Sequence, residues 1–412
     1  MKDQTLAIHG VLGATRFAGA TVPPVFQTVA YASPSAQEMA DAFAGRGAGY
    51  VYTRIANPTT VALEGTLAQL EEGIGCVATA SGMAAIHAVA AALLSAGDEV
   101  VAAEGIFAGT VSLFENTLRR FGVATRYVDA CDEAEVAQAI TAHTRFVFLE
   151  TIANPKLDTP DIAQIARITR DAGIPLVVDN TVATACLCKP GLLGADVVVH
   201  STSKFISGGG TVIGGAVIDT GNYDWLSGSY PHILNRYGGA GRMAFLAYLR
   251  NVVVRDLGAC TAPWNSFLTL EGLKTLGPRM DRHCDNAKAL AEFLQGHPAV
   301  KWVNYPMLPG ATAHRMAVKQ LGGRGGGLLT LGLGSREGAY ALLDGLRLAG
   351  NVANVGDVRT LVIYPASTIC REFDADSRRR MGVTDDMVRV SVGIEDFEDI
   401  RGDFAGALEK LT

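Results

Sequence analysis

Apolar and polar positions divide the chain into three regions. From about residue 73, short apolar runs alternate with stretches of helical spacing. Strands are expected at residues 76–79, 99–103, 125–128, 145–150, 175–179 and 196–200. Between them, helices are expected at 83–94, 111–120, 133–140 and 161–171. In the last, Ile162, Ile165, Ala166 and Ile168 form one stripe. The runs PLVVD and DVVVH are continuously apolar until their last residue, the mark of strands covered on both faces. Strand–helix alternation of this kind predicts a mostly parallel α/β sheet with right-handed crossovers over residues 61–255. Residues 256–412 read as a smaller α+β unit, with helices at 263–276 and 282–294 and strands at 300–305, 328–333, 360–363 and 387–392. Residues 1–60, with Pro23, Pro24, Pro34, Pro58 and many glycines, predict an extended arm lying on another subunit.

Composition narrows the classes. Hydrophobic residues make up 49% of the 412 and charged residues 18%, which excludes disorder and predicts a large core. A net charge of −6 excludes a basic nucleic-acid footprint and gives no reason for attraction to anionic membranes. The uncharged stretch 73–97 is Ala-dominated and interrupted by Thr79, Ser81, Gly82 and His87, so it predicts strand, turn and buried helix rather than a membrane span. Seven cysteines without a C-x-x-C, and eight histidines without a ligand spacing, predict neither a disulfide framework nor a metal site. With no apolar segment behind Lys2, no signal peptide is read, and a cytoplasmic protein is expected.

The chemistry concentrates at strand ends. DVVVHSTSKFISGGG delivers Lys204 beside an apolar strand end, before a glycine-rich turn. Desolvation there lowers a lysine pKa and frees a neutral amine for Schiff-base chemistry; the alternative is a surface lysine. Asp179 closes PLVVD, where parallel sheets bind ligands; the alternative is a turn or cap aspartate. Together an aldehyde-binding lysine and a carboxylate for a pyridinium nitrogen meet the requirement of pyridoxal 5'-phosphate. Ser81-Gly82-Met83 at a strand-to-helix turn suits a phosphate, with Ser201 and Ser203 as further donors and Tyr52 and Arg54 offered by the arm. Arg389, a lone cation in an apolar strand, is either a paired core residue or a fork for a substrate carboxylate. Gly239-x-Gly241-x-x-Ala244 follows no buried strand and is discounted as a dinucleotide fingerprint; no P-loop motif occurs.

Six separated motifs now stand in one order: Tyr52-x-Arg54 with Asn57-Pro58-Thr59; Ser81-Gly82-Met83; Glu150-Thr151 with Asn154-Pro155; Asp179-Asn180-Thr181; Ser201-x-Ser203-Lys204; and Arg389-x-Ser391-x-Gly393. From about residue 20 onward the chain resembles the transsulfuration, or Cys/Met-metabolism, family of fold-type I pyridoxal phosphate enzymes. YTRIANPTT, ETIANPKLDTPDIA, VVRDLGACTAPWNSFLTLEGLKTL and ANVGDVRTLVIYPAST look most like its O-acylhomoserine sulfhydrylase branch.

That resemblance implies a cofactor carried by Lys204, which also moves protons. Asp179 would meet the ring nitrogen and Asn154 the ring hydroxyl. Gly82, Met83, Ser201 and Ser203 would hold the phosphate, with Tyr52 and Arg54 of a neighbouring subunit in a homotetramer built as a dimer of dimers. Arg389, helped by Asn354, would clamp the substrate carboxylate. The implied activity is γ-replacement on an O-acyl-L-homoserine, acetyl rather than succinyl, by sulfide or a small thiol. The alternatives are a γ-lyase and γ-substitution by another nucleophile. Two departures stand out. Many relatives carry tyrosine in an L-Y-G-G-T-like loop, stacked on the ring and able to protonate the leaving group. Here Phe107, in IFAGT, can stack but has no hydroxyl, and phenylalanine also looks compatible with succinyl-accepting enzymes. The lysine turn reads Ser207-Gly208-Gly209, without the histidine usual in the family.

Overall fold

The computed structural model describes residues 1–10, 19–47 and 49–411. Seven strands form the larger sheet: β1 (Gly75–Thr79), β2 (Glu99–Ala103), β3 (Ala124–Val128), β4 (Thr144–Glu150), β5 (Leu176–Asp179), β6 (Val197–His200) and β7 (Gly215–Asp219). Their order is β1-β7-β6-β5-β4-β2-β3. β3, β2, β4, β5 and β6 run parallel, as expected. Leu176–Val178 of β5 and Val197–Val199 of β6 are fully buried, in keeping with cover on both faces. β7 was not anticipated. It follows β6 through turns without a crossover helix, and so pairs antiparallel with both β6 and β1.

The smaller sheet comprises β8 (Trp302–Asn304), β9 (Leu328–Gly332), β10 (Gly350–Asn351), β11 (Leu361–Ile363) and β12 (Met387–Ser391), ordered β10-β11-β12-β9-β8. β12 is central and antiparallel to β11 and β9, which buries Arg389 opposite Ile363 and Thr330.

Three expectations need adjusting. The first 60 residues are not extended throughout. Asp3–His9 and Ala36–Phe43 are helices, Ala7 is buried, and Asp3 pairs with Lys189 at 2.8 Å, which fastens the N-terminus to the body. The helix Pro58–Leu70 begins inside the expected arm: Asn57 caps it through Thr59 N–H, and Pro58 suits its first turn. Residues 111–120 are not one regular helix, because a π-helical turn at Leu113–Thr117 passes into a 3-10 turn. In the C-terminal part, helix Pro263–Leu273 packs back on Pro58–Leu70, with Thr60 and Ser266 hydroxyls 3.0 Å apart. The next helix spans Leu276–Gln295, because Pro278 falls in its first turn, where no N–H partner is lost. Among the described residues no helix is long and apolar enough to cross a membrane; the 73–97 stretch is β1, a turn and helix Gly82–Leu93.

Candidate active site

A cavity of about 460 Å³ opens where the carboxyl ends of the parallel strands meet the smaller sheet. Each strand end supplies one part of its wall: Ser81, Gly82 and Met83 after β1, Phe107 after β2, and Glu150 and Asn154 at and after β4. Asp179 and Thr181 come from the end of β5, and Ser201, Ser203 and Lys204 follow β6. Asn354 and Arg389 reach it from the smaller sheet.

At one end, Ser81 caps helix Gly82–Leu93 by accepting from Ala84 N–H at 3.1 Å, and the first-turn amides of Gly82 and Met83 need no partner within the helix. A Cβ on Gly82 would stand 2.6 Å from Ser201 Cβ, so glycine is what lets this helix start approach the turn after β6. Free amides at a helix start of this kind suit a dianion. The Ser203 hydroxyl borders it, but is engaged with both N–H and carbonyl of Gly214, at 3.0 and 3.1 Å.

Deeper in the cavity, Asp179 accepts from Thr181 N–H at 2.9 Å. Burial pushes its carboxyl up, while the Thr181 hydrogen bonds and the nearby His200 pull it down. Glu150, whose role the sequence did not reveal, is also buried here. Its two oxygens accept from Phe107 N–H at 2.7 Å and Asn154 N–H at 3.0 Å. Burial, followed by the negative charge of Asp179, raises its carboxyl well above the ordinary range.

The Lys204 ammonium donates to Asn354 Oδ1 at 2.6 Å. Burial and then the positive charge of Arg389 lower its pKa. The turn carrying Lys204 is clamped from behind by Arg279, which donates to the carbonyls of Phe205 at 2.5 Å, Ile206 at 3.0 Å and Gly272 at 2.8 Å. Arg389 is buried without a carboxylate partner. It donates to Asn154 Oδ1 at 3.0 Å and to the Asn354 carbonyl at 3.1 Å, and its Nε is left with no partner. Desolvation lowers this guanidinium to about 10. A buried cation with an unused donor is a receptor for an anion.

A hydrogen-bonded circuit therefore runs from Phe107 through Glu150, Asn154, Arg389 and Asn354 to Lys204. Ten of the twelve residues expected at the site line this cavity. Tyr52 and Arg54 do not: Tyr52 is 39% exposed, and Arg54 lies over its ring at 5.4 Å and donates to the Arg255 carbonyl. The remaining wall is apolar, with Val212, Ile213, Val355 and Ile369, residues no motif singled out. Elsewhere, Asp129, Cys131 and Asp158 lie close together, but the Lys156 ammonium already neutralises Asp158 at 2.7 Å.

The arrangement sets free amides at a helix start, a buried carboxylate in the cavity, and an amine close to an unpaired guanidinium. Known proteins resemble the chain over nearly its full length. Homocysteine synthase of Schizosaccharomyces pombe is 38% identical, over 98% of both chains. O-acetyl-L-homoserine sulfhydrylase of Leptospira meyeri is 37% identical, over 100% of this chain and 97% of that one. Among solved structures, a putative O-acetylhomoserine (thiol)-lyase of Campylobacter jejuni, containing N'-pyridoxyl-lysine-5'-monophosphate, superposes with a TM-score of 0.94 at 33% identity. That match covers 99% of this chain and all of the other. Residues 4–409 match the Cys/Met metabolism PLP-dependent enzyme family, and the chain belongs to it.

Proposed function

We propose that this chain catalyses γ-replacement on an O-acyl-L-homoserine, acetyl in preference to succinyl, with sulfide or a small thiol as the incoming group. One observation carries the reading: Lys204 and Arg389 meet across Asn354, which accepts from both, so the amine and carboxylate of a single α-amino acid are addressed together. The names borne by similar chains support sulfide as nucleophile and the acetyl ester as donor.

Bound pyridoxal phosphate supplies an electron sink that acidifies the substrate's Cα and Cβ protons. The residues fit it: Lys204 for its aldehyde, Asp179 for the ring nitrogen and Asn154 for the ring hydroxyl. Gly82, Met83, Ser201 and Ser203 suit the phosphate, and Phe107 would offer its face to the ring. Arg389 binds the substrate carboxylate, its unpartnered Nε joining the fork, while the Asn354 amide steadies the other side. Lys204, once its amine is free, takes the Cα proton and then serves Cβ; its lowered pKa keeps a larger neutral fraction available. Among the described residues lining the cavity, Lys204 and Arg389 are the cations, so a succinyl group would bring a second carboxylate with no cation left for it.

Tyr52 and Arg54, exposed and outside their own cavity, reach the phosphate of a neighbouring subunit in a homotetramer. The 61–255 and 256–412 regions work as cofactor-binding and substrate-closing domains of a cytoplasmic enzyme. The test is product analysis by mass spectrometry with sulfide and the acetyl or succinyl ester. Homocysteine from the acetyl ester is expected. A 2-oxo acid without homocysteine would replace this reading with a γ-lyase.

A further inference from the structure

Two loops that line the cavity are tied to one side chain. Glu150 ends β4, is buried, and pairs in register with Asp179 at the end of β5. One of its oxygens accepts from Phe107 N–H at 2.7 Å and the other from Asn154 N–H at 3.0 Å. Neither bond is to a cation, and burial, followed by the charge of Asp179, raises the carboxyl well above its ordinary range. A carboxyl placed in this way costs the fold stability, and an amide of the same size would not carry that cost. What an amide cannot do is meet both N–H groups, because it has one acceptor oxygen and its nitrogen only donates.

Each of the two N–H groups belongs to a residue whose side chain lines the cavity. Phe107 immediately precedes helix Ala108–Ser112, and its ring is tucked over the first turn, where a Cβ on Gly109 would stand 2.5 Å from Phe107 Cε1. Holding its N–H therefore holds the ring. Asn154 is buried, and its Oδ1 accepts from Arg389 Nη1 at 3.0 Å, so holding its N–H sets the place of the guanidinium. We propose that Glu150 is a positioning residue. By accepting from both loops it fixes the aromatic face offered to the cofactor ring relative to the Arg389 fork, and so sets the pose of the cofactor and that of the substrate carboxylate together. This rests on the roles proposed above for Phe107, Asn154 and Arg389.

The test compares native protein, Glu150→Gln, Asn154→Ala and the double variant, each loaded with pyridoxal phosphate and normalised to bound cofactor. The reading is the ratio of kcat/KM for O-acetyl-L-homoserine to that for its carboxamide, with sulfide as second substrate. Visible circular dichroism of the bound cofactor reads the seating of the ring independently. In Glu150→Gln the amide oxygen keeps the shorter bond, to Phe107, and the Asn154 N–H is left facing another donor. The ratio is expected to fall about 3- to 10-fold, the scale of one neutral hydrogen bond, and the dichroism to weaken. In the double variant the ratio is expected to match that of Asn154→Ala alone, because the side chain through which Glu150 acts is gone. A ratio within about twofold of native overturns the inference. So do losses that multiply in the double variant, or a loss of turnover equal on acid and carboxamide, the mark of a proton carrier. A residue needed only for folding would lower the loaded fraction and leave both readings of the loaded protein unchanged. If Glu150→Gln does not load, Glu150→Asp takes its place: both oxygens remain, drawn back by one methylene, and the same fall is expected. Native protein that makes no homocysteine, or does not favour the acid, sinks the reaction or the Arg389 fork instead. The dichroism of Glu150→Gln then decides the inference, and an unchanged signal overturns it.

Discussion

Replacing Arg389 by methionine separates what the guanidinium does for the substrate from what it does for the fold. Two charge-assisted hydrogen bonds to a carboxylate contribute about 1.5–3 kcal/mol each. Against them stand the bonds the side chain already makes to Asn154 Oδ1 and the Asn354 carbonyl, neutral acceptors worth about 1 kcal/mol apiece. The net loss is about 1–4 kcal/mol, or roughly 5- to 1,000-fold in kcat/KM at about 1.36 kcal/mol per tenfold. The assay compares O-acetyl-L-homoserine with its primary carboxamide. The native enzyme should prefer the acid by about that factor, and the variant should treat the two alike. Folding should suffer little, because a buried guanidinium without a carboxylate is replaced by an apolar side chain of similar length. Removing the second cause that depresses Lys204 should also move the pH midpoint of its acylation in the apoprotein upward. Equal losses on acid and amide, or a loss under about threefold, would refute the assignment.

Lys204→Ala should lose more than about 10³-fold in turnover, since a proton shuttle alone is worth 10²–10⁴ and the covalent anchor goes with it; borohydride should fix no cofactor to the variant, and activity within tenfold of native would reverse the assignment. Asp196 is pushed up to about 7 by burial, despite the Leu176 N–H it accepts at 2.7 Å. The folded state therefore holds a proton that the unfolded chain has already lost above its ordinary value of 3.8, and stability contributed through this group falls as pH rises from about 4 to 7, then levels off. Asp196→Asn should remove that dependence and gain up to about 4 kcal/mol over native at pH 8 in urea unfolding, with the gain shrinking by pH 5. A gain that is the same at both pH values would contradict it.

The strand ends carrying Asp179 and Lys204 were legible because buried parallel strands are continuously apolar until the residue that meets the ligand. β7 escaped notice since Gly215–Asp219 emerges directly from the glycine-rich turn, and a short apolar run has no periodicity of its own. Glu150 was visible as part of a motif, but its work is to accept one backbone N–H from the loop after β2 and another from Asn154, four residues on. No spacing of side chains encodes that. Pro278 misplaced the start of its helix because proline reads as a breaker unless the first turn is already known. Tyr52 and Arg54 lie outside their own cavity, and the role between chains proposed for them is one that periodicity within one chain does not describe.

In the roles proposed for them, Lys204, Asn354 and Arg389 form a ruler for the head of an amino acid, joined by the circuit that links them. An amine and a carboxylate attached to one carbon satisfy both marks; insert a methylene, as in a β-amino acid, and the marks no longer coincide. Because this ruler is built from strand ends and a central strand, while the side-chain wall is made of interchangeable aliphatic residues, new γ-substituents can be admitted by altering Val212, Ile213 or Ile369 without redrawing the scale by which the substrate is recognised.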